Sequence, residues 1–214
     1  WITGNVIGVE LETSPVRVRV TRPDGSTLDR HASFVVDATG RTGVVARSAR
    51  RTAGAPRTHA WIGLWTCPSK TTLAADVRTL VETTDEGWIW SVPAAPGTRC
   101  VAVMVDPDRT RFAADGRLER RYLGELSRSR HVRALLDDAH LQWVWGCDAS
   151  LYETLTLGSR RHLVVGDAAS FIDPLSSFGV KKALTSAWMG AAVVQTWLTD
   201  PAVGPAAQQL FDTR

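Results

Sequence analysis

The chain has 214 residues, 44% apolar and 22% charged, with a net charge of +3. It is long enough to bury a core, and its composition excludes a disordered, collagen-like or coiled-coil chain. Its longest apolar run, Ala187 to Val194, stops at Gln195, well short of the roughly eighteen residues that a membrane span needs.

Val6 to Leu11 and Val16 to Val20 are β-prone runs joined through Thr13-Ser14-Pro15. Pro23-Asp24-Gly25-Ser26 is a turn signal. Ser33-Phe34-Val35-Val36 is a continuous apolar strand entering Asp37-Ala38-Thr39-Gly40. Together these predict a small antiparallel meander feeding a buried strand. The stretch from Arg41 to His59 is polar and Arg-rich, holds Gly54 and Pro56, and reads as a linker or surface crossing. From Ala60 the texture changes. Trp61 to Thr66, Leu73 to Thr83, Gly87 to Val92 and Arg99 to Val105 read as strands of a second, mostly antiparallel sheet. Arg117 to Ser127 predicts a helix with Leu118, Tyr122, Leu123 and Leu126 on one face. His131 to Asp138 predicts a second helix, and Leu141 to Trp145 alternates like a strand. Arg161 to Asp167 is a buried-type strand, followed by a Gly-, Ser- and Pro-rich loop. Gly179 to Leu198 then predicts one long helix, with Val180, Leu184, Ala187, Ala191, Val194 and Leu198 on an apolar stripe. Pro201 and Pro205 punctuate a tail.

Cys67, Cys100 and Cys147 are odd in number and isolated, and the five His are scattered, so neither a disulfide framework nor a metal site is expected. Trp1 to Leu11 has no basic start followed by an apolar stretch, so no signal peptide is read there, and a reduced cytoplasmic setting is expected. The Arg clusters have no interleaved aromatics, so the charge reads as a solvated surface, with neither nucleic acid nor membrane as a partner. The chain opens at Trp1 without an initiator Met and is expected to begin partway through a fold.

The segment Val164-Val165-Gly166-Asp167-Ala168-Ala169-Ser170-Phe171-Ile172-Asp173-Pro174-Leu175-Ser176-Ser177-Phe178-Gly179-Val180 sets a carboxylate at the end of a buried strand, ahead of a helix N-terminus. In open α/β sheets that is where cofactors bind. Asp167 can accept hydrogen bonds from sugar-like hydroxyls, and the N–H groups of Gly179 to Lys181 can face negative charge. The same residues could serve only as a strand, a capped loop and a packed helix. Phe34-Val35-Val36-Asp37-Ala38-Thr39-Gly40 is by itself an ordinary strand exit, in which Gly40 supplies backbone freedom. Gly87-Trp88-Ile89-Trp90-Ser91-Val92-Pro93 puts two indoles on one face of a strand, which reads equally as sheet packing.

The first segment resembles the second FAD-binding motif of flavoprotein monooxygenases of the hydroxybenzoate-hydroxylase type, above all the flavin-dependent halogenase and alkene-reductase branches. The order of meander, Asp-x-x-Gly, sheet domain and Gly-Asp is also the family's order. The resemblance implies an α+β fold with an incomplete FAD-binding domain. Residues 1–57 and 146–214 would form the partial FAD-binding domain, and residues 58–145 an inserted substrate-domain sheet. It implies that Asp167 binds the ribityl chain of FAD, that Pro174 and the Gly179 loop lie along the flavin ring, and that the helix start at Gly179 and Val180 stabilises reduced flavin. Gly40, Gly166 and Lys181 join the cofactor-binding set. The Trp88/Trp90 stretch resembles the halogenases' Trp-x-Trp-x-Ile-Pro signature, with Val92 in place of Ile, and so implies a substrate tunnel.

Two departures stand out. No Gly-x-Gly-x-x-Gly turn occurs, and the halogenases' catalytic Lys would lie upstream of Trp1, since Lys70, Lys181 and Lys182 are the chain's lysines. Without the phosphate-binding turn, the 214 residues alone are expected not to hold FAD stoichiometrically. Lys181 and Lys182 occupy a first helical turn that is usually uncharged in halogenases. There they oppose the helix dipole, so at least one is expected to face a negative group such as flavin or substrate. Pro-Leu-Ser-Ser-Phe-Gly-Val-Lys-Lys-Ala-Leu also resembles halogenase-like flavoproteins that oxidise Trp side chains of a partner protein. The first expectation is a monooxygenase acting through a flavin C4a-hydroperoxide on an aromatic or other electron-rich substrate, free or carrier- or protein-bound. Electrons would come from NAD(P)H directly or from a separate flavin reductase. The alternatives are a halogenase, an alkene reductase and a non-catalytic fragment.

Overall fold

A computed structural model describes residues 1–51, 57–67, 76–108 and 117–213. Gly54, Pro56, Lys70 and the start of the Leu73–Thr83 run lie outside them. In chain order the strands begin with β1 (Asn5–Glu10), β2 (Val16–Thr21), β3 (Thr27–Ala32), β4 (Val35–Asp37) and β5 (Arg50–Arg51). Next come β6 (His59–Thr66), β7 (Leu80–Thr84), β8 (Gly87–Ala95) and β9 (Thr98–Val105). Helices α1 (Leu118–Leu126) and α2 (His131–Leu135) precede β10 (His140–Asp148), β11 (Tyr152–Thr154), β12 (Gly158–Ser159), β13 (His162–Val164) and β14 (Ser170–Phe171). Helices α3 (Gly179–Thr199) and α4 (Gly204–Asp212) follow. The chain divides into two compact units, Trp1–Ala53 with Leu151–Arg214, and Gly54–Ser150.

In the first unit, β1, β2 and β3 form an antiparallel meander. Its β2–β3 turn needs Gly25 at φ +82°, and Asp24 braces it by accepting hydrogen bonds from the Ser26 N–H and hydroxyl. Strand β3 lacks apolar alternation. Its place comes from pairing with β2, where Arg19 lies directly opposite Asp29 and meets it at 2.9 Å. Strand β4 runs parallel to β13, which forms a hairpin with β12. Strand β11 sits between β14 and β5.

Helix α3 packs on this sheet through Gly190 and Val193, against Leu163, Val165 and Phe211 of α4. A Cβ at position 190 would stand 2.7 Å from Leu163 Cδ2, so the close approach needs glycine. Most of the stripe expected from periodicity faces outward, with Val180 75% exposed, Leu184 68% and Leu198 52%, while its Val194 packs against the core. The helix is apolar on two sides, and the side carrying Gly190 is the one that can close onto β13. Pro205 also departs from the expected tail. It sits in the first turn of α4, where a missing N–H costs nothing.

The second unit is an antiparallel five-stranded sheet in the order β10-β6-β9-β8-β7. One face carries Trp61, Trp65, Ile89, Val101, Val103 and Val105, covered by Tyr122 and Leu126 of α1 and by Val132 and Leu136. Tyr122 is fully buried, accepts from Trp65 Nε1 at 2.8 Å and donates to the Val101 carbonyl at 3.2 Å. Its hydroxyl lies where a Cβ at Gly63 would stand, so Gly63 makes room for it. Leu123 leaves the expected helix face and is 39% exposed, while Glu125 turns inward.

Glu82 of β7 caps α2, accepting from the N–H groups of Arg130, His131 and Val132. Burial pushes this carboxyl's pKa up, but the three donors outweigh that and hold it below its usual value. A depressed folded pKa adds stability above the unfolded value, about 4.3, and that stability disappears as pH falls through the folded value. Glu82→Gln is expected to cost about 1 kcal/mol at neutral pH. Urea melts should show the gap to wild type closing as pH drops below the carboxylate range; a gap independent of pH would contradict this role.

Candidate functional site

The parallel pairing of β4 with β13 sets Val164 opposite Asp37, so two strand ends open at the same edge of the sheet. Asp37 is 3% exposed. One of its oxygens accepts from the Thr39 N–H and hydroxyl, the other from the Val45 N–H at 2.7 Å. These bonds fix the loop that carries Gly40, which has φ +62° and opens the 3-10 turn Gly40–Thr42. The turn Gly166–Ala168 at the end of β13 lies against it. Gly166, at φ +59°, ties this turn to α3 by donating its N–H to Ser186 Oγ at 2.9 Å.

Asp167 follows directly. Its side chain is 36% exposed, and Oδ1 lies 3.2 Å from Lys182 Nζ. Its second oxygen has no partner among the described residues. Lys182, 22% exposed, also donates to the Ser170 carbonyl. The negative group that Lys182 meets within the chain is thus Asp167. Pro174 opens the 3-10 turn Pro174–Ser176, capped by Asp173 accepting from the Leu175 N–H at 2.8 Å. Ser177 turns the chain into α3 at φ +56°. The helix starts without a side-chain cap, and its first bond into the preceding loop runs from Lys182 N–H to the Phe178 carbonyl. The N–H groups of Gly179, Val180 and Lys181 therefore have no partner among the described residues, at the positive end of a 21-residue helix. Lys181 Nζ sits 5.0 Å over the Phe178 ring. A cleft of about 700 Å³ lies beside this region, with Gly166, Ser170, Phe178, Lys181, Lys182 and Ser186 among its walls. Asp167, Pro174, Gly179 and Val180 lie outside that lining.

A ring-stacked brace holds the two loops together. The Arg41 guanidinium lies 4.1 Å over Phe171 and 5.1 Å over Tyr152. Arg50 lies 4.2 Å over the other ring contact, Tyr152, and donates to the Arg41 carbonyl. The Tyr152 and Phe171 rings are 6.1 Å apart at 19°, and the Tyr152 hydroxyl donates to the Asp167 carbonyl. Sequence reasoning missed this set. Arg41 is adjacent to Gly40 and could have been noticed, but nothing in their spacing couples Tyr152 to Phe171.

Trp88 and Trp90 lie in the other unit, half-buried on the sheet face opposite its core. The register continues that face across the sheet: Trp90 pairs with Ala102, Ala102 with Ile62, and Ile62 with Trp145. Trp143 shares it through Leu64 and Cys100. Trp143 is 57% exposed and Trp145 40%. The alternation of β10 was legible, but its shared face with β8 depends on strand order.

No family model matches the chain. A flavin-dependent halogenase of Armillaria mellea, armH5, is 33% identical over 51% of the chain and 22% of its own length. The flavin-dependent halogenase otaD of Aspergillus niger is 27% identical over 84% of the chain and 40% of its own length. Among solved structures, the flavin-dependent halogenase CmlS matches 97% of the chain and 38% of its own length at a TM-score of 0.87 and 24% identity. Over most of its length the chain is similar to flavin-dependent halogenases, and it shares the fold of part of CmlS. The peptidyl tryptophan dihydroxylase QhpG shares the fold at a TM-score of 0.76 and 24% identity, over 98% of the chain and 46% of its own length. The chain spans 22% to 40% of the length of these curated relatives of the halogenase family. Halogenase names prevail among them, the reaction that the sequence offered as the alternative to oxygen insertion. Among the described residues, no helix is long and apolar enough to cross a membrane.

Proposed function

We propose that this chain is the flavin-holding part of an FAD enzyme of halogenase type, with residues 1–57 and 146–214 as the partial FAD-binding domain and 58–145 as the substrate-domain sheet. The observation that carries the reading is the end of β13. A carboxylate with one free oxygen stands there ahead of three N–H groups with no partner among the described residues. That donor set fits a flavin. Asp167 can accept from ribityl hydroxyls, and the N–H groups of Gly179, Val180 and Lys181 can meet the electron-rich edge of the ring. A Cβ at Gly179 would meet nothing within 4 Å, so the approach is open. Gly40 and Gly166 give the two loops their shape, and Pro174 fixes the loop beside the ring. When bound, FAD supplies oxygen activation, and the chain's residues bind it and orient it. Trp88 and Trp90 would line the path to an aromatic or other electron-rich substrate, free or carried on a protein. Reducing equivalents would come from a separate flavin reductase or from NAD(P)H.

Halogenation is the leading reaction, because the curated relatives carry halogenase names. Oxygen insertion is the second reading, favoured by the likeness to a peptidyl tryptophan dihydroxylase. The complete gene product, given FAD, a flavin reductase, NADH, oxygen and bromide, is expected to brominate an electron-rich aromatic probe, as read by mass spectrometry. An oxygenated probe without bromine would favour the second reading, and an unchanged probe under conditions that reduce the flavin would count against both.

A further inference from the structure

We infer that Lys182 is a positioning residue that neutralises Asp167 and thereby lets the site accept reduced, anionic flavin; this rests on the flavin reading above. Two-electron reduction of FAD with uptake of one proton gives the anion FADH−. A carboxylate beside the flavin opposes that added negative charge. Asp167 is such a carboxylate, and the structure sets the Lys182 ammonium 3.2 Å from its Oδ1.

The arrangement is specific to Lys182. Its Nζ also donates to the Ser170 carbonyl and lies 3.3 Å from Ser170 Oγ, so the ammonium is anchored on the β13–β14 side of the helix. Its side chain is 22% exposed, which limits screening by water. Lys181, one residue earlier, points instead over the Phe178 ring. The two lysines therefore differ in role: one is paired with the carboxylate, the other is an exposed cation at the cleft. Both sit in the first turn of α3, where a cation opposes the helix dipole, and the contact with Asp167 accounts for keeping a cation at 182.

The test uses the complete gene product. Its affinities for oxidised and for dithionite-reduced FAD are measured separately under anaerobic conditions, and the potential of the bound flavin is measured against a reference dye. Lys182→Met leaves Asp167 uncompensated. It is expected to weaken reduced FAD about tenfold more than oxidised FAD, equivalent to lowering the two-electron potential by about 30 mV. Lys182→Arg should keep the wild-type potential, and adding Asp167→Asn to Lys182→Met should return it toward wild type. Equal losses for both redox forms, or a potential unmoved by Lys182→Met, would overturn the role of Lys182 while leaving the flavin site intact. Failure of the wild-type protein to bind FAD in either form would overturn the flavin reading, and this role with it.

Discussion

Asp167→Ala is expected to lower the affinity of the complete gene product for FAD by about ten- to a hundredfold. The expectation follows from what the carboxylate offers. One oxygen meets Lys182 and the other has no partner among the described residues, so a ligand hydroxyl can donate to it. A hydrogen bond to a charged group contributes about 1.5–3 kcal/mol, and each 1.4 kcal/mol is about a factor of ten in affinity. The substitution also strands the Lys182 ammonium. The turn itself should survive, because Gly166 and Tyr152 hold it through Ser186 Oγ and the Asp167 carbonyl, neither of which uses the carboxylate. Fluorescence titration with FAD measures the effect, and thermal melting of the apo form checks that the fold is kept. An unchanged affinity would remove Asp167 from the site.

Arg99→Met is expected to destabilise the antiparallel-sheet unit by about 3 kcal/mol, with several buried polar groups left unpaired at about 1–3 kcal/mol each. Arg99 is only 1% exposed. Its Nε donates to Ser91 Oγ at 2.7 Å, one terminal nitrogen to the Asp76 carbonyl at 2.9 Å, and the other to the Arg78 carbonyl. The guanidinium thus ties β9 to β8 and to the chain entering β7. Burial lowers its pKa, with Asp76 pulling the other way, so the charge is stabilised by these partners rather than by water. Methionine fills most of the volume but supplies no donor, leaving Ser91 and two carbonyls unsatisfied. Urea unfolding measures the cost. A loss under about 0.5 kcal/mol, the range typical of surface substitutions, would mean that these bonds are replaced by solvent.

Much of this organisation was legible in local chemistry. The Asp-Ala-Thr-Gly and Gly-Asp segments carry their own punctuation, because Gly40 and Gly166 both take positive φ where a strand must turn sharply. The β8 and β9 strands were readable from apolar runs bounded by turns. What stayed hidden was set by tertiary pairing. Strand β3 is Thr-Leu-Asp-Arg-His-Ala and exists because β2 offers it a ladder. The buried side of α3 was misjudged because both of its faces are apolar, and the choice between them turns on the space at Gly190. The Arg41–Phe171 contact joins residues 130 positions apart, and Tyr152 enters only because β11 pairs with β14. The Lys182 partner followed the same pattern. A cation at the start of a helix called for a nearby anion, and the turn after β13 supplies one in Asp167.

The central claim is that the turn after β13 and the start of α3 hold FAD. A crystal structure of the complete gene product with FAD tests it most directly. The expected density places the ribityl chain within hydrogen-bonding distance of the Asp167 carboxylate and the flavin ring edge at the N–H groups of Gly179, Val180 and Lys181. Flavin bound away from Asp167, with those three N–H groups facing solvent, would contradict it.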